Sequence, residues 1–275
     1  MIYLDYAATT PVRPEVVSEL LNFLTHDGTF GNSSSQHHSG YQAKNTIQTA
    51  INKLAEILSC STKEIIFTSG ATESNNLAIK GIAYRLKKIG KHIITSATEH
   101  KSVLDTCKFL ASQGFEITYL KPNANGLISL DDIKNAITES TILVSIMHVN
   151  NETGVIQNIQ EIAQLCNENN VLFHVDAAQS VGKIVLNLQE MPIDLLSFSG
   201  HKFYAPKGIG GLFIRNHLKK HLAPLFHGGG QQFGLRSGTL PTHQIMAMVK
   251  AIELQHHELS KQWQHLILIR QCFLQ

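Results

Sequence analysis

Three observations on the sequence predict an α/β fold with a mostly parallel sheet. Short apolar runs alternate with stretches of helical period along most of the chain. Five polar clusters fall at or just past the ends of five apolar runs, the carboxyl ends of strands where such sheets gather ligands. A chain of 275 residues can bury a substantial core, as one large domain or as one domain with part of a second.

The elements follow in order. Ile65-Ile66-Phe67-Thr68 is a short apolar run of strand length, and Glu73 to Leu86 has helical spacing. His92 to Thr95 reads as a strand and Lys101 to Gln113 as a helix. Glu116 to Leu120 is a strand closed by the turn Pro122-Asn123-Ala124-Asn125-Gly126. Leu130 to Ala136 is a helix whose first turn carries Asp131 and Asp132, which suit the positive end of the helix dipole. Thr141 to Val149 is a strand, Ile159 to Glu168 a helix, and Val171 to Val175 a strand. Leu195 to Ser199 and Gly210 to Ile214 are two further strands. Ile245 to Gln275 reads as a helix ending in the apolar group Trp263, Leu266, Ile267, Leu268, Ile269, Phe273 and Leu274, which needs a surface to bury it.

Composition narrows the function classes. A hydrophobic content of 43% against 16% charged fits a globular protein, and a net charge of +2 gives no reason to expect nucleic acid or a membrane surface. His37-His38 and His256-His257 are adjacent pairs, which point to different sides of an element, and no spaced Cys/His cluster exists, so no metal site is expected. Cys60, Cys107, Cys166 and Cys272 form no CxxC pair and are too sparse for a disulfide framework, so a reducing compartment fits. No signal peptide opens the chain and no apolar run reaches the ~18 residues of a membrane span, which leaves the cytoplasm as the expected location.

The polar clusters carry the chemistry. Lys202, in Ser199-Gly200-His201-Lys202-Phe203, follows Asp176 by 26 residues, and Asp176 lies in His174-Val175-Asp176-Ala177-Ala178-Gln179. A lysine amine whose pKa is lowered becomes a nucleophile able to hold a cofactor aldehyde. A buried carboxylate keeps a pyridine nitrogen protonated, as an electron-sink cofactor requires. Taken singly, Lys202 reads as a surface lysine and Asp176 as a helix cap; together with a phosphate loop they describe a pyridoxal phosphate site. That loop is Ser69-Gly70-Ala71-Thr72, which joins a strand to a helix whose first N–H groups favour a phosphate. Ser199 and His201 can add donors to the phosphate, and Gln179 can reach the ring's phenolic oxygen. His100 is placed to lie on the ring or to handle protons. Asn150-Asn151 is a candidate donor to substrate or cofactor, with ordinary turn chemistry as the alternative. Arg236-Ser237-Gly238-Thr239 follows the flexible Gly228-Gly229-Gly230-Gln231-Gln232 and can reach another subunit.

Taken together these residues resemble the cysteine desulfurases of the class V branch of fold-type I pyridoxal phosphate enzymes, nearest to those serving iron–sulfur assembly. The likeness runs from Tyr3-Leu4-Asp5-Tyr6-Ala7-Ala8-Thr9-Thr10 through 68–76, 98–104, 148–154, 174–182 and 199–208 to 236–244. It implies a pyridoxal phosphate-binding large domain at 15–255, with an N-terminal arm at 1–14 and the start of a truncated small domain at 256–275. It implies Lys202 as the lysine bonded to the cofactor, Asp176 on the ring nitrogen, His100 stacked on the ring and moving protons, and Gln179 on the phenolic oxygen. Ala71, Thr72, Ser199 and His201 surround the phosphate in that pattern, and Asn151 lies near ring and substrate. Thr239 reaches the neighbouring subunit's phosphate, which implies a homodimer. The implied substrate is L-cysteine, with a sulfur-acceptor scaffold protein as a further partner. Family members carry a nucleophilic cysteine and a substrate-binding arginine further downstream, which this sequence lacks; Cys272 lies nearest but matches no motif. The expected alternatives are another class V enzyme, such as a selenocysteine lyase or an aminotransferase, and a non-catalytic cofactor-binding fragment that pairs with a complete paralogue.

Overall fold

The computed structural model describes residues 2–275. Strands β1 (Ile65–Thr68), β2 (His92–Ser96), β3 (Glu116–Leu120), β4 (Thr141–Ser145), β5 (Leu172–Asp176), β6 (Leu195–Ser199) and β7 (Gly210–Ile214) form one sheet in the order β1-β7-β6-β5-β4-β2-β3. Four of its six pairings are parallel; β7 is antiparallel to both β6 and β1. Two reversals restore direction, so β1 runs the same way as β6 and its carboxyl end joins the same edge of the sheet. The parallel strands β4, β5 and β6 are almost wholly buried, as strands covered on both faces must be.

Helices α3 (Ala71–Leu86), α4 (Lys101–Ser112), α5 (Leu130–Ala136) and α6 (Ile159–Glu168) are the crossovers expected from the sequence. Two hydrophobic clusters flank the sheet, one around Leu54, Phe173 and Phe198, the other around Ile66, Leu77 and Leu110. Helices α1 (Pro14–Leu21) and α2 (His38–Leu58) have no counterpart in the sequence expectation. In α2 the buried stripe is Gly40, Ala43, Ile47, Ala50, Leu54, Ala55 and Leu58, correctly spaced but with glycine or alanine at four of its seven positions, in a run rich in Gln, Asn and Thr. Proline at the first helical position and a β-region cap start α1.

Helix α7 (Thr242–Leu274) packs on α1 and α2 through its first half, where Ile245, Met248, Ile252 and Gln255 are buried. Ion pairs Lys53–Glu253 (2.7 Å) and Arg13–Glu258 (2.8 Å) fasten it at their margins. Burial stops at Gln255, while the helix runs on unbroken with Leu266, Ile267, Leu268 and Ile269 more than half exposed. No helix is long and apolar enough to cross a membrane, and no group of three metal-ligating side chains occurs among the described residues.

Candidate active site

A cavity of about 610 Å³ opens at the carboxyl edge of the sheet. All five sequence clusters contribute to its wall: Ser69 to Thr72, His100, Asn151, Asp176 with Gln179, and Ser199 with His201 and Lys202. Thr239 is not among its lining residues in this single chain. The wall also includes Asp5, Ala7 and Ala8 from the N-terminal arm, Glu73, and Lys207 with Gly208 ahead of β7. All of these lie in segments of the resemblance, although none was singled out as a site residue from the sequence.

One end of the cavity is built for an anion. Gly70 leaves β1 at φ +149°, a conformation L side chains rarely adopt, and turns the chain into α3. No side chain caps α3, so its first N–H groups are free to meet a ligand at the positive end of the helix. Gly210 lets the turn sit against β7, because a Cβ there would lie 2.6 Å from the Gly70 Cα and 2.5 Å from the Phe198 carbonyl oxygen. Glu73 anchors the loop: it accepts from the Ser69 N–H at 2.8 Å and from Arg236 Nε at 2.8 Å. Burial works against the Glu73 charge, but these hydrogen bonds prevail and hold its carboxyl below the usual range. Arg236 is thereby committed to Glu73. His201 lies beside Thr9, with Nδ1 to Oγ1 at 3.1 Å. Burial, and the charges of Lys202, Lys207 and Lys183, push the His201 imidazole down to about 4, so it is neutral at pH 7.

The other end holds a buried carboxylate. Asp176 closes β5 and is 4% exposed. Its Oδ1 accepts from the Ala178 N–H at 2.9 Å and its Oδ2 from Asn75 Nδ2 at 2.7 Å. Burial pushes its pKa up, opposed by those two hydrogen bonds and by the charge of Lys202. Glu99, fully buried, accepts from the Met147 N–H at 2.7 Å, and its second oxygen has no partner. Burial drives the Glu99 carboxyl well above its ordinary range, toward the protonated form.

Lys202 ends the short 3₁₀ turn Gly200–Lys202 after β6. Its Nζ donates to the Ala7 and Ala8 carbonyls at 2.7 and 2.9 Å. Burial lowers its pKa, while Asp176 and Asp5 raise it, with burial ahead. Gln179 donates from Nε2 to the Ala7 carbonyl at 2.8 Å and accepts from Lys183 Nζ at 2.8 Å. His100 caps α4: its Nδ1 accepts from the Ser102 N–H at 3.1 Å and lies 2.8 Å from Ser102 Oγ. Asn151 reaches the cavity with its amide turned to Glu152 at 2.6 Å, whereas Asn150 is spent on the turn itself, holding the Glu152 and Thr153 N–H groups. No cysteine lines the cavity. Burial pushes the Cys60, Cys107 and Cys166 thiols up to about 12, and Cys272 is exposed on α7.

The chain matches known proteins over nearly all of its length. The family model for aminotransferase class-V matches residues 2–274. A cysteine desulfurase IscS from Buchnera aphidicola subsp. Acyrthosiphon pisum (strain 5A) is 55% identical over 266 residues, 96% of this chain and 66% of that protein. The chain thus spans about two thirds of the length of such curated relatives. Among solved structures, a NifS-like protein superposes with a TM-score of 0.95 at 39% identity, covering 99% of this chain and 74% of that one. SspA in complex with cysteine gives 0.89 at 47% identity, covering 92% and 72%. Pyridoxal 5′-phosphate, the cofactor of such proteins, fits this cavity: an uncapped helix N-terminus suits its phosphate, a buried carboxylate its ring nitrogen and a partly buried amine its aldehyde. The chain belongs to the class-V aminotransferase family, in its cysteine desulfurase branch.

Proposed function

We propose that the chain holds pyridoxal phosphate as the cofactor-binding part of a cysteine desulfurase, acting on L-cysteine to give L-alanine and a persulfide that feeds iron–sulfur cluster assembly. The observation that carries it is one cavity lined by the buried Asp176, the Lys202 amine and the uncapped N-terminus of α3. When bound, the cofactor supplies an electron sink for the pair of electrons left at the substrate Cα. Asp176 keeps the ring nitrogen protonated, and burial suits it to share that proton. Ala71, Thr72, Ser199 and His201 hold the phosphate, and Gln179 and Asn151 give donors to the phenolic oxygen and the substrate. Lys202 would hold the aldehyde, and its amine, when free, would take the Cα proton. For that its Nζ must leave the Ala7 and Ala8 carbonyls.

Sulfur transfer then needs a thiolate. It attacks the substrate sulfur, an S–S bond forms, the C–S bond breaks, and the carbon takes up protons to become alanine. None of the cysteines in the sequence lines the cavity, so the thiol comes from elsewhere. The family likeness supports a homodimer in which Thr239 serves the partner's phosphate, and a scaffold protein as sulfur acceptor. It also supports a cofactor domain at 15–255, an arm at 1–14 and the start of a small domain at 256–275, where burial stops. Free cysteines support the cytoplasm as its compartment.

The test is to incubate the cofactor-loaded chain with L-cysteine and dithiothreitol, the latter as sulfur acceptor, and to quantify alanine and sulfide. Equal amounts of both, above those from free cofactor, are expected. Conversion of the cofactor to its amine form without sulfide would make the chain an aminotransferase and overturn the proposal.

A further inference from the structure

Asn75 and Ser102 stand outside the roles assigned so far, yet they connect two residues of the site, Asp176 and His100. Asn75 lies on α3 and is fully buried. Its Nδ2 donates to Asp176 Oδ2 at 2.7 Å and to Ser102 Oγ at 2.8 Å. Ser102 Oγ is in turn 2.8 Å from His100 Nδ1, the atom that also receives the Ser102 N–H at 3.1 Å.

The available hydrogens fix the direction of this chain of bonds. An amide nitrogen carries two, and Asn75 places one on Asp176 and the other on Ser102. A flipped amide would set its oxygen against a carboxylate oxygen, so Asp176 dictates the orientation. The Asn75 oxygen is left buried without a partner, a cost tolerated only if the nitrogen is needed where it is. The Ser102 hydroxyl, already accepting from Asn75, turns its own hydrogen to His100 Nδ1. That nitrogen receives the Ser102 N–H as well, so it presents a lone pair and the ring proton sits on Nε2. Nε2 has no hydrogen-bond partner among the described residues, and His100 lines the cavity.

We propose that Asn75 and Ser102 are positioning residues that link the Asp176 carboxylate to the His100 imidazole and hold His100 as the Nε2–H tautomer. In this form His100 offers the cavity a proton and no lone pair. Lys202 is then the group that takes the Cα proton, and His100 offers a hydrogen-bond donor at Nε2. The assignment of roles rests on the cofactor reading above; the bond directions do not.

The experiment is ¹⁵N NMR of the cofactor-free chain labelled at histidine, with His100 identified by the signals that vanish in His100→Gln. Wild type is expected to show a single Nε2–H tautomer once the ring is neutral. Ser102→Ala and Asn75→Ala are expected to move both ring nitrogens part of the way toward the average of the two tautomers, the backbone Ser102 N–H still donating to Nδ1, and Ser102→Thr, which keeps the hydroxyl, to restore the wild-type pair. In a parallel titration Asn75→Ala is expected to weaken pyridoxal phosphate binding about tenfold, the loss typical of one hydrogen bond to a charged group. An averaged or Nδ1–H signal in wild type, or an unchanged pair in Ser102→Ala, overturns the inference. Should Asn75→Ala not fold, the Ser102 pair of variants decides. Absence of cofactor binding would defeat the functional proposal while leaving the NMR result to stand by itself.

Discussion

Glu99 is a buried carboxyl one residue from His100, with a single hydrogen bond and no cation beside it. Burial holds it toward the protonated form, whereas in the unfolded chain it ionises as an ordinary glutamate. The folded state therefore binds more protons above the ordinary carboxyl range, and this group's contribution to stability falls as pH rises. Glu99→Gln keeps an acceptor for the Met147 N–H and cannot ionise. In urea unfolding at a series of pH values from 5 upward, the variant is expected to gain on wild type by about 1.4 kcal/mol per pH unit while Glu99 keeps its proton. Parallel stability curves for the two proteins would show that Glu99 is ionised when folded. The chemistry-bearing side chains were legible from sequence because each follows an apolar run at a strand end, as His100, Asp176 and Lys202 do. Asn75 was not, although it lies inside the quoted segment 68–76. Its importance comes from a contact with Asp176, 101 positions away, which only packing creates.

At the level of elements, the anion end depends on two backbones meeting. The Gly70 turn and the start of β7 are so close that a methyl at Gly210 has no space. Gly210→Ala is expected to cost about 1–3 kcal/mol, the usual penalty for overpacking, and also to weaken cofactor binding, because the loop that receives the phosphate is what gives way. Urea unfolding paired with a pyridoxal phosphate titration checks both; a variant unchanged in affinity would separate the turn from phosphate binding. Strand and helix positions followed from apolar runs, and most ends agree within two residues. The strand expected over Thr141 to Val149 stops at Ser145 in regular form, yet Ile146 and His148 still donate to the His174 and Asp176 carbonyls at 3.1 and 2.9 Å. The apolar pattern reported burial and pairing correctly, and the irregularity comes from the approach to the Asn150 turn. Helix α2 escaped notice because alanines supply much of its buried face, and alanine gives a weak periodic signal.

For the molecule as a whole, one sheet edge gathers side chains from five strand ends, with the arm laid across them. Sheet direction explains why: β7 enters antiparallel between β1 and β6, which brings the carboxyl ends of β1 and β6 to the same side as the rest. The parallel core could be anticipated from alternation, but the reversed β7 could not, since Gly210 to Ile214 looks the same in either direction. The arm's contact was hidden for the same reason as Asn75: Ala7 and Ala8 meet Lys202 across 195 and 194 positions of sequence. Everything proposed for this edge depends on a covalent bond between the Lys202 amine and the cofactor aldehyde. Borohydride reduction of the loaded protein makes that bond permanent, and mass spectrometry of its peptides locates it. The mass of the reduced pyridoxyl group is expected on the peptide containing Lys202, and no lysine-bound adduct is expected in Lys202→Ala; a label on Lys183 or Lys207 in wild type, or on no peptide at all, would contradict the assignment.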